Sequence, residues 1–211
     1  MTVVPGFAKT LFMMMLGCRP PGRVIEQHDI FFAIADNIRE LTGEIKAFWP
    51  EVKNHIHVDA WRRVTRVDGF SVGVVDRQQD LLSAHMPLLQ SSLLTGLPTL
   101  AHKLFFVNLG GYKPNEFDEF HYKLLIVASD KVTAIRKAKQ TMFYRQTGFK
   151  GAAAHIDEKY GVDVDDIFEI NDLLSTTIKS RYKLVLEQAA DQVADEIHLG
   201  YMPLHRLSDL R

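Results

Sequence analysis

Residues 9–36 read KTLFMMMLGCRPPGRVIEQHDIFFAIAD, and residues 102–129 read HKLFFVNLGGYKPNEFDEFHYKLLIVAS. Laid over one another without a gap, they place Leu16 over Leu109, Gly17 over Gly110, Pro21 over Pro114, Glu26 over Glu119 and His28 over His121. Further on, HVDAWRRV from His57 lies over HIDEKYGV from His155 at a larger offset, so a few residues entered the second copy ahead of that motif. Self-similarity of this kind is the signature of an internal duplication. Both copies keep small residues, apolar strand positions, a Glu-x-His and a His-x-Asp.

Each copy reads as strand, Gly/Pro turn, strand, helix, strand, strand. Thr10 to Leu16 and Ile30 to Ile34 are apolar on both parities, which predicts central strands covered on both faces. GCRPPGR breaks the first pair. Asp36 can cap a helix whose apolar stripe is Ile38, Leu41, Ile45 and Phe48, with Pro50 after its end. In the second copy Ser129 takes the cap position and Val132, Ile135, Ala138 and Met142 form the stripe. From His55 the alternation of His, Ile, His, Val, Asp predicts a third strand, with His55, His57 and Asp59 on one side. Asp68-Gly69 signals a turn into FSVGVV from Phe70, answered by YKLVLE from Tyr182. The stretch VDVDDIFEINDLLSTTIKSR delays that last strand and reads as an acidic, helical insertion.

The fold class is therefore α+β, two tandem ββαββ-like repeats with pseudo-twofold symmetry. Residues 1–80 form the first repeat, 81–102 a leucine-rich connector, and 103–211 the second repeat with its helical insertion and C-terminal tail. Met86-Pro87-Leu88 in the connector recurs as Met202-Pro203-Leu204, which brings the tail into the duplicated unit.

Composition narrows the classes of function. A formal net charge of -1 supplies no field for nucleic acid or an anionic membrane, and no apolar run is long enough to span a bilayer. Lys9 followed by TLFMMMLGC has the order of a lipoprotein signal. The same segment recurs at Lys103 in mid-chain, where no signal acts, so it reads as a buried strand. The single cysteine, Cys18, has no intrachain partner, which suits a reducing cytoplasm. Gly111 stands at its place in the second copy, and Cys18 reads as a small buried residue.

The shared polar residues define the candidate site. Glu26 and His28, two apart on a strand, leave the same face, and His57 and Asp59 repeat that geometry. Adjacent strands would gather Glu26, His28, His57 and Asp59 in one half, and Glu119, His121, His155 and Asp157 in the other. Imidazole and carboxylate together suit a divalent transition metal such as zinc, manganese or iron. A Glu/His/Asp hydrogen-bond network with a purely structural role uses the same residues. No serine or cysteine sits in a nucleophile elbow. The acidic run from Asp163 lacks the glycine and final glutamate of a calcium loop. Arg19 and Arg23 flank a turn without a phosphate-loop ending, and Trp49 and Trp61 read as core filling.

With LGC, EQHD, IAD, HVDAW and VDG in the first copy and FFVNLGGY, FDEFH and HID in the second, the chain resembles the bacterial domain of unknown function family 1543 over most of its length. The resemblance implies a soluble, often duplicated bacterial protein and carries over no activity. Cys18 against Gly111, and Asp29 against Tyr122, are departures between the halves. The expected function is a cytoplasmic module that binds a small-molecule ligand or a protein partner, with a homodimer left open. The competing expectation is a metal-dependent enzyme built on the repeated Glu-x-His and His-x-Asp.

Overall fold

The computed structural model describes residues 9–52, 55–78, 102–112, 115–140, 164–189 and 193–209. The protein is mixed α and β, with several antiparallel sheets. It divides into two compact units, Met1–Leu93 with Leu173–Arg211, and Leu94–Asp172. No described helix is long and apolar enough to cross a membrane.

In the first unit, β1 (Thr10–Cys18) and β2 (Gln27–Ala35) form an antiparallel hairpin. The intervening turn passes through Gly22 at φ 81°, a left-handed conformation that glycine adopts without a Cβ penalty. A 3-10 turn (Ile38–Leu41), α1 (Thr42–Phe48), β3 (His57–Val64), β4 (Arg66–Val67) and β5 (Phe70–Asp76) follow. The second unit holds β6 (Lys103–Tyr112), β7 (Glu119–Ala128), α2 (Lys131–Ala138) and β8 (Val164–Glu169). Short helices Ile170–Leu173 and Thr176–Arg181 lead to β9 (Tyr182–Gln188), β10 (His198–Pro203) and a closing 3-10 segment (Leu204–Asp209).

The first unit contains a four-stranded sheet in the order β10-β3-β1-β2 and a three-stranded sheet β4-β5-β9. In the latter, β5 pairs antiparallel with β9, Gly73 opposite Val185 at the centre of the ladder. The segment leading into β10 is tied down by Asp195, whose carboxylate accepts from the Thr65 and Arg66 backbone N–H groups at 2.8 and 3.0 Å. The second unit contains the sheet β7-β6-β8.

β1 shows how the sequence builds the sheet. Phe12, Met14, Leu16 and Cys18 point into a core shared with Phe31, Ala33, Ile38, Leu41, Ile45 and Leu207. The opposite parity, ending at Gly17, faces the other side. Apolar residues on both parities at Ile30 to Ile34 suggested a central strand, but β2 lies at the edge of its sheet, as does β7. The pattern records burial on both faces, which covering elements supply to an edge strand as well.

Three local expectations change. The helix after β2 begins as a 3-10 turn capped by Asn37, whose Oδ1 accepts from the Arg39 N–H at 3.1 Å. Asp36 instead receives the Lys9 ammonium at 2.7 Å, a contact that holds the Lys9 pKa above its ordinary value. Asp130, not Ser129, caps α2: it accepts from Thr133 N–H at 2.8 Å, and Ser129 donates to it at 2.6 Å. These hydrogen bonds hold the Asp130 carboxyl below its usual range. The buried stripe of α2 is Ala134 and Ala138, and Val132 is exposed. Met142 lies outside the described residues.

The largest change concerns VDVDDIFE. Val164–Glu169 is not helical but forms β8, paired antiparallel with β6 as β3 is with β1. The helices begin only at Ile170.

Candidate functional site

Backbone register assembles the site in the first unit. Gly17 is opposite His28 on one side and His57 on the other, and Pro203 of β10 is opposite His57. One rank across four strands therefore runs Pro203, His57, Gly17, His28. The β1/β3 ladder then shifts: Leu16 pairs with Val58 but Met15 pairs with Ala60, which leaves Asp59 as an extra residue in a bulge. Asp59, two residues after His57, stays on the His57 face by strand alternation, and the bulge sets Ala60 in its place opposite Met15.

The resulting distances are short. His57 Nε2 lies 3.0 Å from Glu26 Oε1 and 3.3 Å from Asp59 Oδ2. His28 Nε2 lies 3.3 Å from Asp59 Oδ2 and 3.4 Å from Glu26 Oε2. His57 is 5% exposed, whereas Glu26 and His28 form an open rim. Both His57 Nε2 and Asp59 Oδ2 are buried without a hydrogen-bond partner. Both stand at ion-pair distance from their neighbours, so what they lack is hydrogen-bond geometry, and a buried polar atom without it is rare.

A cation between the two atoms would satisfy both. Two donors each about 2.1 Å from one ion stand roughly 3.0 to 3.4 Å apart for octahedral to tetrahedral angles, which is the spacing of these nitrogen and oxygen atoms. Glu26, His57 and Asp59 converge closely enough for one ion, and His28 reaches the same carboxylates from the open side.

Gly17 makes the cluster sterically feasible. A Cβ there would overlap Asp59 Oδ2 and His57 Nε2. The sequence comparison marked this glycine as a shared small turn residue, but it lies within β1, and its missing side chain is the space into which the donors point. Behind His57, the Tyr201 ring stands 4.4 Å away at 38°. Farther along, His198 stacks on Trp61 at 3.9 Å. Trp49 and Trp61 both pack against the core from partly buried positions, in line with core filling.

The second unit repeats part of this geometry. Gly110 is opposite His121, and the β6/β8 ladder shifts between Asn108, paired with Asp166, and Leu109, paired with Val164, leaving Asp165 as the extra residue. His121 Nε2 lies 3.2 Å from Asp165 Oδ2 and 3.8 Å from Glu119 Oε2, and the three residues form a second converging set. A Cβ at Gly110 would overlap the Asp165 carboxylate. The turn matches too: Asn115 has φ 65° where the first hairpin has Gly22 at 81°.

Of the residues singled out from sequence, Glu26, His28, His57 and Asp59 come together, as do Glu119 and His121. His155 and Asp157 lie outside the described residues. Asp165 was missed. The signal was Asp-Val-Asp at 163–165, which shares its valine and final aspartate with His57-Val58-Asp59 and differs only in the first letter. His55 does not share the His57 face, because β3 begins only at His57 and His55 is exposed in the turn before it. Asp29 is exposed and accepts from the Ile30 N–H at 2.7 Å. Cys18 is fully buried in the core, and burial together with the Glu26 charge pushes its thiol pKa up, as expected of an inert thiol.

Residues 23–74, which include all four donors of the first cluster, match the family described as Domain of Unknown Function (DUF1543). Among solved structures the chain is similar to the crystal structure of protein Il1583 from Idiomarina loihiensis, at 20% identity and a TM-score of 0.57, over 93% of this chain and 98% of that one. That likeness concerns the fold. No curated protein matches the chain.

Proposed function

We propose that the protein binds a divalent transition metal through Glu26, His28, His57 and Asp59, with Glu119, His121 and Asp165 forming a second, weaker site. The observation that carries this reading is the pair of buried, hydrogen-bond-free atoms His57 Nε2 and Asp59 Oδ2, 3.3 Å apart beside a glycine. Mixed imidazole and carboxylate donors suit zinc, manganese or iron. Three or four protein donors with an open rim leave a coordination position for water, which a bound metal activates for hydrolysis or uses to polarise a substrate oxygen. The matching registers of the two hairpins support a tandem duplication, with repeats at residues 1–80 and 103–211 joined by 81–102.

A second reading, a binding module without catalysis, is favoured by exposed apolar residues beside the donors. Val24 and Ile25 stand out just before Glu26, and Phe117 just before Glu119. Such side chains offer a docking surface to a ligand or protein.

The deciding experiment is elemental analysis of untagged protein purified without chelator, with Asp59→Asn and His57→Ala alongside. The expected result is about one transition-metal ion bound by the first site, lost in both variants while circular dichroism stays native. Metal-free wild type that takes up no zinc on dialysis would sink the metal reading.

A further inference from the structure

Beside the first cluster, but built from other side chains, lies a cavity of about 340 Å³. That volume is in the range of small-molecule sites. Its polar lining is Lys46 and Thr42 of α1, His55 ahead of β3 and His205 of the closing 3-10 segment. Among the described residues no carboxylate lines it. Ile56 and Leu204, both buried, supply apolar wall. Among the described residues, the side chains of Lys46, His55 and His205 make no hydrogen bond or ion pair. Three nitrogen-bearing side chains with no partner among the described residues therefore meet at one cavity, brought there by three separate segments of the chain.

The geometry points to a binding site for a small organic phosphate. Lys46 supplies the fixed positive charge, His55 and His205 supply imidazole donors, and Thr42 supplies a hydroxyl. Four donors from three directions match the several acceptor oxygens of a phosphate group better than the two of a carboxylate. Ile56 and Leu204 receive the carbon part of the ligand. None of these residues is a metal donor, so this site goes beyond the metal reading and does not rest on it. Tyr201 connects the two: it bounds the cavity, and its ring lies against the imidazole of His57.

The test is calorimetric titration of phenyl phosphate, and separately of benzoate, into the full chain in chelator-treated and zinc-loaded forms, for wild type and Lys46→Gln. Lys46 is exposed, so the substitution leaves the fold intact, which circular dichroism checks. Phenyl phosphate should bind both forms of the wild type, benzoate at least about tenfold more weakly, and Lys46→Gln should weaken phenyl phosphate by about tenfold with zinc uptake unchanged. A folded wild type that binds no phenyl phosphate overturns the proposal, as does equal binding of benzoate. Binding that needs zinc and survives Lys46→Gln places the phosphate on the metal and also overturns it. Lys46-dependent binding in a protein that takes up no zinc upholds the phosphate site while the metal reading fails.

Discussion

The two clusters share a scaffold, and among the described residues the first has one buried histidine more. In each unit a strand glycine lies opposite a histidine, a glutamate sits two residues before that histidine, and a bulge on the neighbouring strand delivers an aspartate. What the first cluster adds is His57, buried at 5% exposure and backed by Tyr201. The second has the sequence Asp163 at the step before Val164, and its described donors are all partly exposed. A donor held in a dry, packed position loses less entropy and less solvent competition on binding than one on an open rim. The shared backbone thus sets where these side chains stand, and under the proposed metal reading burial would set how tightly they hold an ion.

The largest effect should come from the glycines. Gly17→Ala places a methyl against both His57 and Asp59, whereas the nearest atoms to a methyl at Gly110 belong to the partly exposed Asp165. Zinc titration should show the first-site affinity reduced on the order of 100-fold by Gly17→Ala, and the second-site affinity on the order of tenfold by Gly110→Ala. Equal losses at both would erase the distinction between the clusters. Writing the first motif into the second half is the converse. Asp163→His restores the order His-Val-Asp ahead of β8 and should tighten second-site zinc binding by about tenfold; an unchanged isotherm would mean that burial, and not the added imidazole, makes the first site.

Tyr201→Ala removes the ring behind His57 and should weaken first-site zinc by a few fold while leaving the second site alone. An identical wild-type isotherm would show that His57 is held by the sheet alone. The smallest effect separates the sheets themselves. Lys123 of β7 stands where β2 has Ile30, and burial lowers its pKa. A lysine whose folded-state pKa is depressed costs stability while it is charged, and that cost fades as pH rises towards the unfolded value of 10.5. Lys123→Met should therefore raise the melting temperature at pH 7 by about 2 °C, with a smaller gain at pH 10. A drop at pH 7 would show that the amine holds a contact worth more than its desolvation.

Much of this was legible in the chain. The ungapped match from Lys9 and His102 marked both hairpins, and it marked Gly17, Glu26 and His28 with their counterparts. Alternation around His57 gave β3 its face. The cap residues were misplaced by one because Asp36 and Asn37, or Ser129 and Asp130, are equally good caps in sequence, and only the turn geometry chooses between them. Asp165 was hidden because its run resembles an acidic insertion, and letters alone do not tell an acidic strand from an acidic loop.

What the sequence determined by itself was local: which stretches extend and which face is apolar, both consequences of side-chain periodicity and steric size. Tertiary structure decided which strand lies beside which. Pairing β8 with β6 brought Asp165 beside His121, the one-residue bulges left Asp59 and Asp165 without a partner on the central strand, and the return of β10 to β3 put Tyr201 against His57. Strand order and bulges depend on contacts between residues far apart in the chain, and no local pattern encodes them.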